Sequence, residues 1–378
     1  MSARLRLLAC VVALAAPLSL GAIFGTGCGN LPSSEIDAGD LLGVFDRDAS
    51  AGDASGDGGN KKDPKRKDGG AALASALASS SPPTDTQSDT QKTSARPPTE
   101  GSCVAVDGLP DRDIKRTFGR PSCPGAEVME WKDEAGAPRY ACVIAPKGLE
   151  TRAPLPVVIF FHDAGDNPRS VDKETTLRKH AARFDVTGDP AHAGFIILAV
   201  QGRALHGNKE GAMFDVDYTG DDNVDITTTD HFLSVLVERK VVDRRRVYTM
   251  GAGHGGLMAM TYAMMRADRV AAIVTYGSDA PKANWSCPGP PPPAFVVYRA
   301  CDRIAPCDSV ERFLRARDGL GAETTGLRLD NVSGEEPSCA MDKKCTAIVG
   351  SALHRRWPKA REDDMLRFFA RHTLSIKP

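Results

Sequence analysis

The stretch Arg246-Val247-Tyr248-Thr249-Met250-Gly251-Ala252-Gly253-His254-Gly255-Gly256 decides the fold. Its first half suits a pleated strand, and a Met- and Ala-rich run of helical character begins directly after its glycines. A strand that turns sharply into a helix needs residues that accept positive φ and close backbone approach, and the glycines at 251, 253, 255 and 256 supply them. In an open parallel sheet such a corner lies at the carboxyl end of a strand, where ligands bind. The tip of the corner is Gly253, which has no side chain with which to attack or to move a proton.

Further apolar runs of strand length lie on either side of this corner. Leu155-Pro156-Val157-Val158-Ile159-Phe160-Phe161 is nearly continuous and predicts a central strand covered on both faces. Gly194 to Val200, Val247 to Met250, Val270 to Tyr276 and Ala294 to Tyr298 repeat the pattern. Between them Phe232, Leu233, Leu236 and Val237 share a helical face, Met258, Met260, Tyr262 and Met265 follow the corner, and Met365, Leu366, Phe368 and Phe369 close the chain. Strands alternating with helices predict an α/β protein with a mostly parallel central sheet and helices on both faces. Ala126 to Trp131 and Arg139 to Ile144, separated by Asp133-Glu134-Ala135-Gly136, predict an antiparallel hairpin at the sheet edge.

Four features then occur in a telling order. They are Phe161-His162-Asp163-Ala164-Gly165 after the first central strand, the segment Arg246 to Leu257, the loop Cys301-Asp302-Arg303-Ile304-Ala305-Pro306, and His354 ahead of Trp357-Pro358. From Leu155 onward the chain resembles the secreted α/β-hydrolase esterases that include polyhydroxybutyrate depolymerases and feruloyl and acetylxylan esterases. The resemblance implies the α/β-hydrolase fold, carboxylic-ester hydrolysis and no cofactor. It implies the order nucleophile, acid, base, which falls on positions 253, 302 and 354. By it, Asp302 is the acid that fixes the imidazole tautomer and His354 is the base. It also implies an oxyanion hole built from the backbone N–H of His254 and from the loop around Asp163 and Ala164.

Two departures bear on activity. The nucleophile serine of the family is Gly253 here, and the family's His-Gly opening is His162-Asp163. A carboxylate beside the oxyanion is expected to disfavour the charge that develops there. The nucleophile position of such corners is strained for a non-glycine residue by about 1–3 kcal/mol, so glycine is favoured once hydrolysis is not required. The expectation is therefore a retained fold without serine catalysis, acting by binding a small ester or carbohydrate-like ligand in the old cleft, or a protein partner. The alternative is an active ester hydrolase that uses water or a displaced nucleophile. His254 acting on water and Ser278 in Tyr276-Gly277-Ser278-Asp279 are the groups considered for it, with His372 a second candidate base.

The loop Asp215-Val216-Asp217-Tyr218-Thr219-Gly220-Asp221-Asp222-Asn223-Val224-Asp225 is rich in oxygen ligands, which leaves two readings, calcium or a polar loop that caps the following helix. No other metal site is expected. The closest cysteine spacings, Cys301 to Cys307 and Cys339 to Cys345, do not suit zinc.

The amino-terminal part is not expected to fold. Arg4 and Arg6 precede the apolar run Leu7 to Phe24, which predicts an export signal, and Gly25-Thr26-Gly27 leads into Cys28 as in a bacterial lipoprotein signal. A lipid on Cys28 would hold the protein to a membrane of the cell envelope. Without it the chain would be a soluble exported protein. From Gly29 to about residue 100 the composition of Asp, Gly, Ser, Ala, Pro and Lys is too poor in large apolar groups to fold and predicts a tether. Its Asp46–Asp57 and Lys61–Lys67 runs read as solvated charge. Residues 101–378 remain for one α/β-hydrolase-like domain. Eight of the ten cysteines lie there, at 103, 123, 142, 287, 301, 307, 339 and 345, which fits a disulfide framework in an oxidising compartment. The net charge of -1, without a basic face, gives no reason to expect a nucleic acid partner.

Overall fold

The computed structural model describes residues 94–96, 103–106, 118–205, 212–281, 284–300, 302, 304–329 and 354–375. Along the chain these form β1 (Ser94–Arg96), β2 (Val104–Val106), β3 (Glu127–Lys132), β4 (Pro138–Ile144), β5 (Leu155–Phe161), α1 (Ser170–Lys173), α2 (Leu177–Ala181), β6 (Ile196–Val200) and α3 (Val224–Glu238). There follow β7 (Val242–Ala252), α4 (His254–Met265), β8 (Ala272–Tyr276), β9 (Asn284–Ser286), β10 (Ala294–Arg299), α5 (Cys307–Gly319), β11 (Thr324–Leu329), α6 (Glu362–Ala370) and β12 (His372–Leu374).

Eight strands make one sheet in the spatial order β3-β4-β6-β5-β7-β8-β10-β11. The pairs from β6 to β11 are all parallel, and β4 runs antiparallel to both of its neighbours, β3 and β6. This is the strand order of the α/β-hydrolase fold, with the expected hairpin at its edge. Every residue of β5 is buried. The strand's pleat explains why an unbroken apolar run is needed. Leu155, Val157, Ile159 and Phe161 pack with Phe232, Leu236, Met258 and Tyr262 of α3 and α4 on one face. Val158 and Phe160 pack with Leu177 of α2 and Leu366, Phe368 and Phe369 of α6 on the other.

The structure goes beyond the predicted elements in several places, of which three bear on the sheet and its edges. β7 starts at Val242, because Asp243, Arg244 and Arg245 extend the strand with side chains that are only partly covered. β11 is a partly exposed edge strand without apolar alternation. Ser94–Arg96, upstream of the expected start of folded sequence, pairs in parallel with His372–Leu374.

Among the described residues two disulfides are formed. Cys123–Cys142 ties the segment before β3 to β4, and Cys103–Cys287 joins residues 184 apart in sequence. The signal, Cys28, most of the tether, Cys301, Cys339 and Cys345 lie outside the described residues. Among the described residues no helix is long and apolar enough to cross a membrane.

Candidate functional site

Strand register assembles the site. Phe161 on β5 pairs with Gly251 on β7, and Ala252 on β7 pairs with Tyr276 on β8. Two residues further along, Asp163 and Gly253 therefore leave adjacent strands at the same edge of the sheet. The chain passes from β5 to β6 on one side and then returns to place β7 on the other, so this edge is the topological switch point. Gly253 holds φ 51° and ψ -121°, a conformation that an L side chain rarely adopts. Its N–H donates to Tyr276 O at 2.9 Å. The next turn packs hard against β5, since a Cβ on Gly255 would lie 2.2 Å from Phe161 O.

The side chain of Asp163 fills the space that Gly253 leaves. A Cβ built on Gly253 would lie 2.2 Å from Asp163 Oδ1 and 2.8 Å from Oδ2. Oδ1 accepts hydrogen bonds from the backbone N–H of Ala164 at 2.7 Å and of His254 at 2.9 Å. These are the two N–H groups expected to hold an oxyanion. Asp163 was expected beside that hole, and its carboxylate sits inside it. The cause is electrostatic and steric. The first N–H groups of α4 have no partner within the helix and attract an anion, and residue 253 offers no side chain to exclude one.

His162 fixes the backbone that carries this carboxylate. Gly202 N–H donates to His162 Nε2 at 3.0 Å, which leaves Nδ1–H to donate to Asp163 O at 2.9 Å. Burial lowers the pKa of His162 against the carboxylates around it, so the ring is held neutral in that tautomer.

Asp302 and His354 form the other half of the site. Asp302 Oδ1 accepts from Ile304 N–H at 2.9 Å and Ala305 N–H at 3.1 Å, which leaves Oδ2 to accept from His354 Nδ1–H at 2.7 Å. His354 Nε2 then faces Asp163 Oδ2 at 3.9 Å. Burial acts to lower the pKa of His354, but the hydrogen bond and charge of Asp302, together with the charge of Asp163, outweigh it and raise the pKa.

Trp357 of the Trp357-Pro358 motif, together with Arg299 and Glu362, which the motifs did not mark, holds this half in place. Arg299, buried at the end of β10, donates to Tyr276 Oη at 2.6 Å and to Arg356 O at 2.8 Å. Trp357 Nε1–H donates to the buried Glu362 at 2.7 Å. Glu174 is pushed up to about 8, first by burial and then by its hydrogen bond to Asp166 and the charges of Asp166 and Asp163. It therefore carries a proton at neutral pH. An open cleft of 660 Å³ is lined by Glu174, Thr176, Arg355, Trp357 and Lys359 among others, and begins one residue from His354. Nothing in the sequence around Glu174 distinguishes it from a surface carboxylate.

The other candidates are engaged elsewhere. Ser278 is buried, and its hydroxyl donates to Tyr276 O at 3.3 Å. His372 lies in β12 beside Phe368 and 3.4 Å from Glu323, so Asp302 takes His354 as its partner. His254 brings its backbone N–H to the site. In the acidic loop, Asp225 is paired with Arg203 at 2.9 Å, Asp222 accepts from the Tyr218 hydroxyl, and Asn223 Oδ1 caps α3 through the N–H of Asp225 and Ile226. This is the arrangement of a polar capping loop. Among the described residues no three acidic, His or Cys side chains group to hold a metal ion.

No protein family model matches the sequence, and no curated protein does. Among solved structures the chain is similar to a thermostable esterase, with a TM-score of 0.47 and 14% identity over 66% of this chain and 64% of that one. It is also similar to esterase 2 of the Planctomycetes species Thermogutta terrifontis with propionate bound, with a TM-score of 0.47 and 13% identity over 68% of this chain and 98% of that one. The same esterase phosphorylated by paraoxon gives 0.46 and 15% over 69% and 100%. The chain thus spans 64% of the length of the first of these proteins.

Proposed function

We propose that this chain is an exported, lipid-anchored protein of the cell envelope whose α/β-hydrolase domain, of esterase type, has lost serine-ester chemistry and keeps the old site for a small ligand. The resemblance points to an ester-like or carbohydrate-like ligand. The observation that carries this reading is the placement of Asp163. Its carboxylate takes both the volume of a nucleophile at position 253 and the two N–H groups that a substrate carbonyl would need. Export and lipidation are supported by the basic start, the apolar run and Cys28. A second reading keeps chemistry at this site through a displaced nucleophile, and the 3.9 Å approach of Asp163 Oδ2 to His354 Nε2 favours Asp163 over Ser278 for that place.

The test is p-nitrophenyl acetate hydrolysis by the unmodified chain, Gly253→Ser, and Gly253→Ser with Asp163→Gly. The unmodified chain and the single variant are expected to be inactive, because a serine side chain at position 253 would overlap Asp163 and the hole would stay filled. The double variant is expected to gain turnover that His354→Ala removes. Ester turnover by the unmodified chain that depends on His354 would overturn the reading.

A further inference from the structure

A serine hydrolase keeps its oxyanion hole open for the oxygen of its substrate. Here a carboxylate oxygen holds both donors before any substrate arrives. An acyl substrate would have to displace it, so the arrangement works against ester hydrolysis. It works in favour of one other electrophile. If Asp163 itself becomes the ester, the tetrahedral charge formed on hydrolysing that ester develops on its own Oδ1, already 2.7 and 2.9 Å from the two N–H groups. A carboxylate becomes such an ester by displacing a leaving group from an sp3 carbon. Oδ2 is the oxygen left to attack, and the Asp163 side chain, at 14% exposure, keeps an opening to solvent.

We infer that Asp163 is a nucleophile toward an sp3 carbon bearing a halide, and that His354, positioned by Asp302, hydrolyses the alkyl-aspartyl ester that results. This rests on the loss of serine chemistry proposed above and assigns a different reaction to the same site.

In the first step Oδ2 attacks carbon, the new C–O bond forms as the C–halogen bond breaks, and the electron pair leaves with the halide. In the second, water attacks Cγ while His354 Nε2 takes one of its protons, and negative charge collects on Oδ1. Collapse breaks the bond between Cγ and the alkyl oxygen, and His354 returns its proton to that oxygen to release the alcohol. The remaining water proton leaves as the carboxylate is restored. The overall change is alkyl halide and water to alcohol, halide and a proton. Alkylation also removes the charge on Asp163, one of the groups that raises the pKa of His354, so the base is freed at the step that requires it.

The experiment uses the full chain with n-butyl bromide in water labelled with heavy oxygen. Bromide release is expected, and in the first turnover the label should enter Asp163 while the butanol remains unlabelled. Asp163→Asn should reduce release to the uncatalysed background. His354→Ala should slow ester hydrolysis by about 10²–10⁴-fold and let a butyl group accumulate on the peptide that contains Asp163. A residue that only caps α4 would produce neither the label nor the adduct. Absence of any adduct on Asp163 in a His354→Ala chain that melts as a folded protein overturns the inference, as does labelled butanol in the first turnover. Either result leaves the loss of serine chemistry standing, because that depends on the ester assay alone.

Discussion

The two halves of the candidate site differ in what they present to the cleft. Asp302 and His354, 52 residues apart in sequence, meet at 2.7 Å with the donor and acceptor arrangement that an acid–base pair needs. In the other half Gly253 has a positive φ and no side chain, and Asp163, from a neighbouring strand end, places its carboxylate where a side chain at 253 would lie. The difference follows from how each half is held. The acid–base pair is buried among Ile304, Ala305, Arg299 and Trp357, whereas the carboxylate of Asp163, at 14% exposure, is held by the N–H groups of Ala164 and His254 over a backbone fixed by His162. The lack of a side chain at 253 leaves space that the Asp163 carboxylate fills.

The largest expected effect tests whether the two halves are still complementary. Ester hydrolysis in the Gly253→Ser, Asp163→Gly double variant should exceed that of either single variant by about 10²-fold or more. Equal activity in Gly253→Ser alone would show that Asp163 does not block the hole.

Stability should separate the halves next. Asp302→Ala strands two N–H groups and His354 in a buried setting and is expected to cost about 3–5 kcal/mol in urea unfolding. Asp163→Ala removes a helix cap at a site water can reach and is expected to cost about 0.5–2 kcal/mol. The reverse order would break the contrast drawn between them. Asp302→Asn should also lower the pKa of His354, read by NMR titration, because the hydrogen bond and charge of Asp302 are what raise it. The same raised pKa means that His354 contributes stability below 6.5 that is lost as pH rises through its folded value.

Smaller still is the strain at the corner. Gly253→Ser alone is expected to lower stability by about 1–3 kcal/mol, with part of the loss recovered when Asp163 is also replaced by Gly. A separate effect, seen only in the pH dependence, concerns Glu174. Its carboxyl, raised from 4.5 to about 8, favours the folded state fully below 4.5, and that contribution is lost as pH rises through about 8. Glu174→Gln should therefore gain on the unmodified chain in melting temperature between about pH 5 and about pH 9.

Much of this architecture was legible in the chain because burial on both faces leaves a pattern. The seven apolar residues of β5 and the glycine corner after β7 declare a central strand and a strand-to-helix turn. Edge elements carry no such pattern. β11 is half exposed, and the Arg-rich start of β7 lies at a register irregularity, where Arg245 and Arg246 bond to Asp243, Thr187 and Leu374. Glu174 and Arg299 owe their character to surroundings that come from distant parts of the chain.

By itself the sequence determined the α/β layering, the acid and base candidates at 302 and 354, and the missing side chain at 253, because residue identity and hydrophobic period are local properties. What Asp163 does was decided only by tertiary structure. It lies 91 residues from the N–H of His254 that it accepts from, and only the parallel register of β5 and β7 brings the two together. That register gives the Asp163 carboxylate the two N–H groups expected to hold an oxyanion.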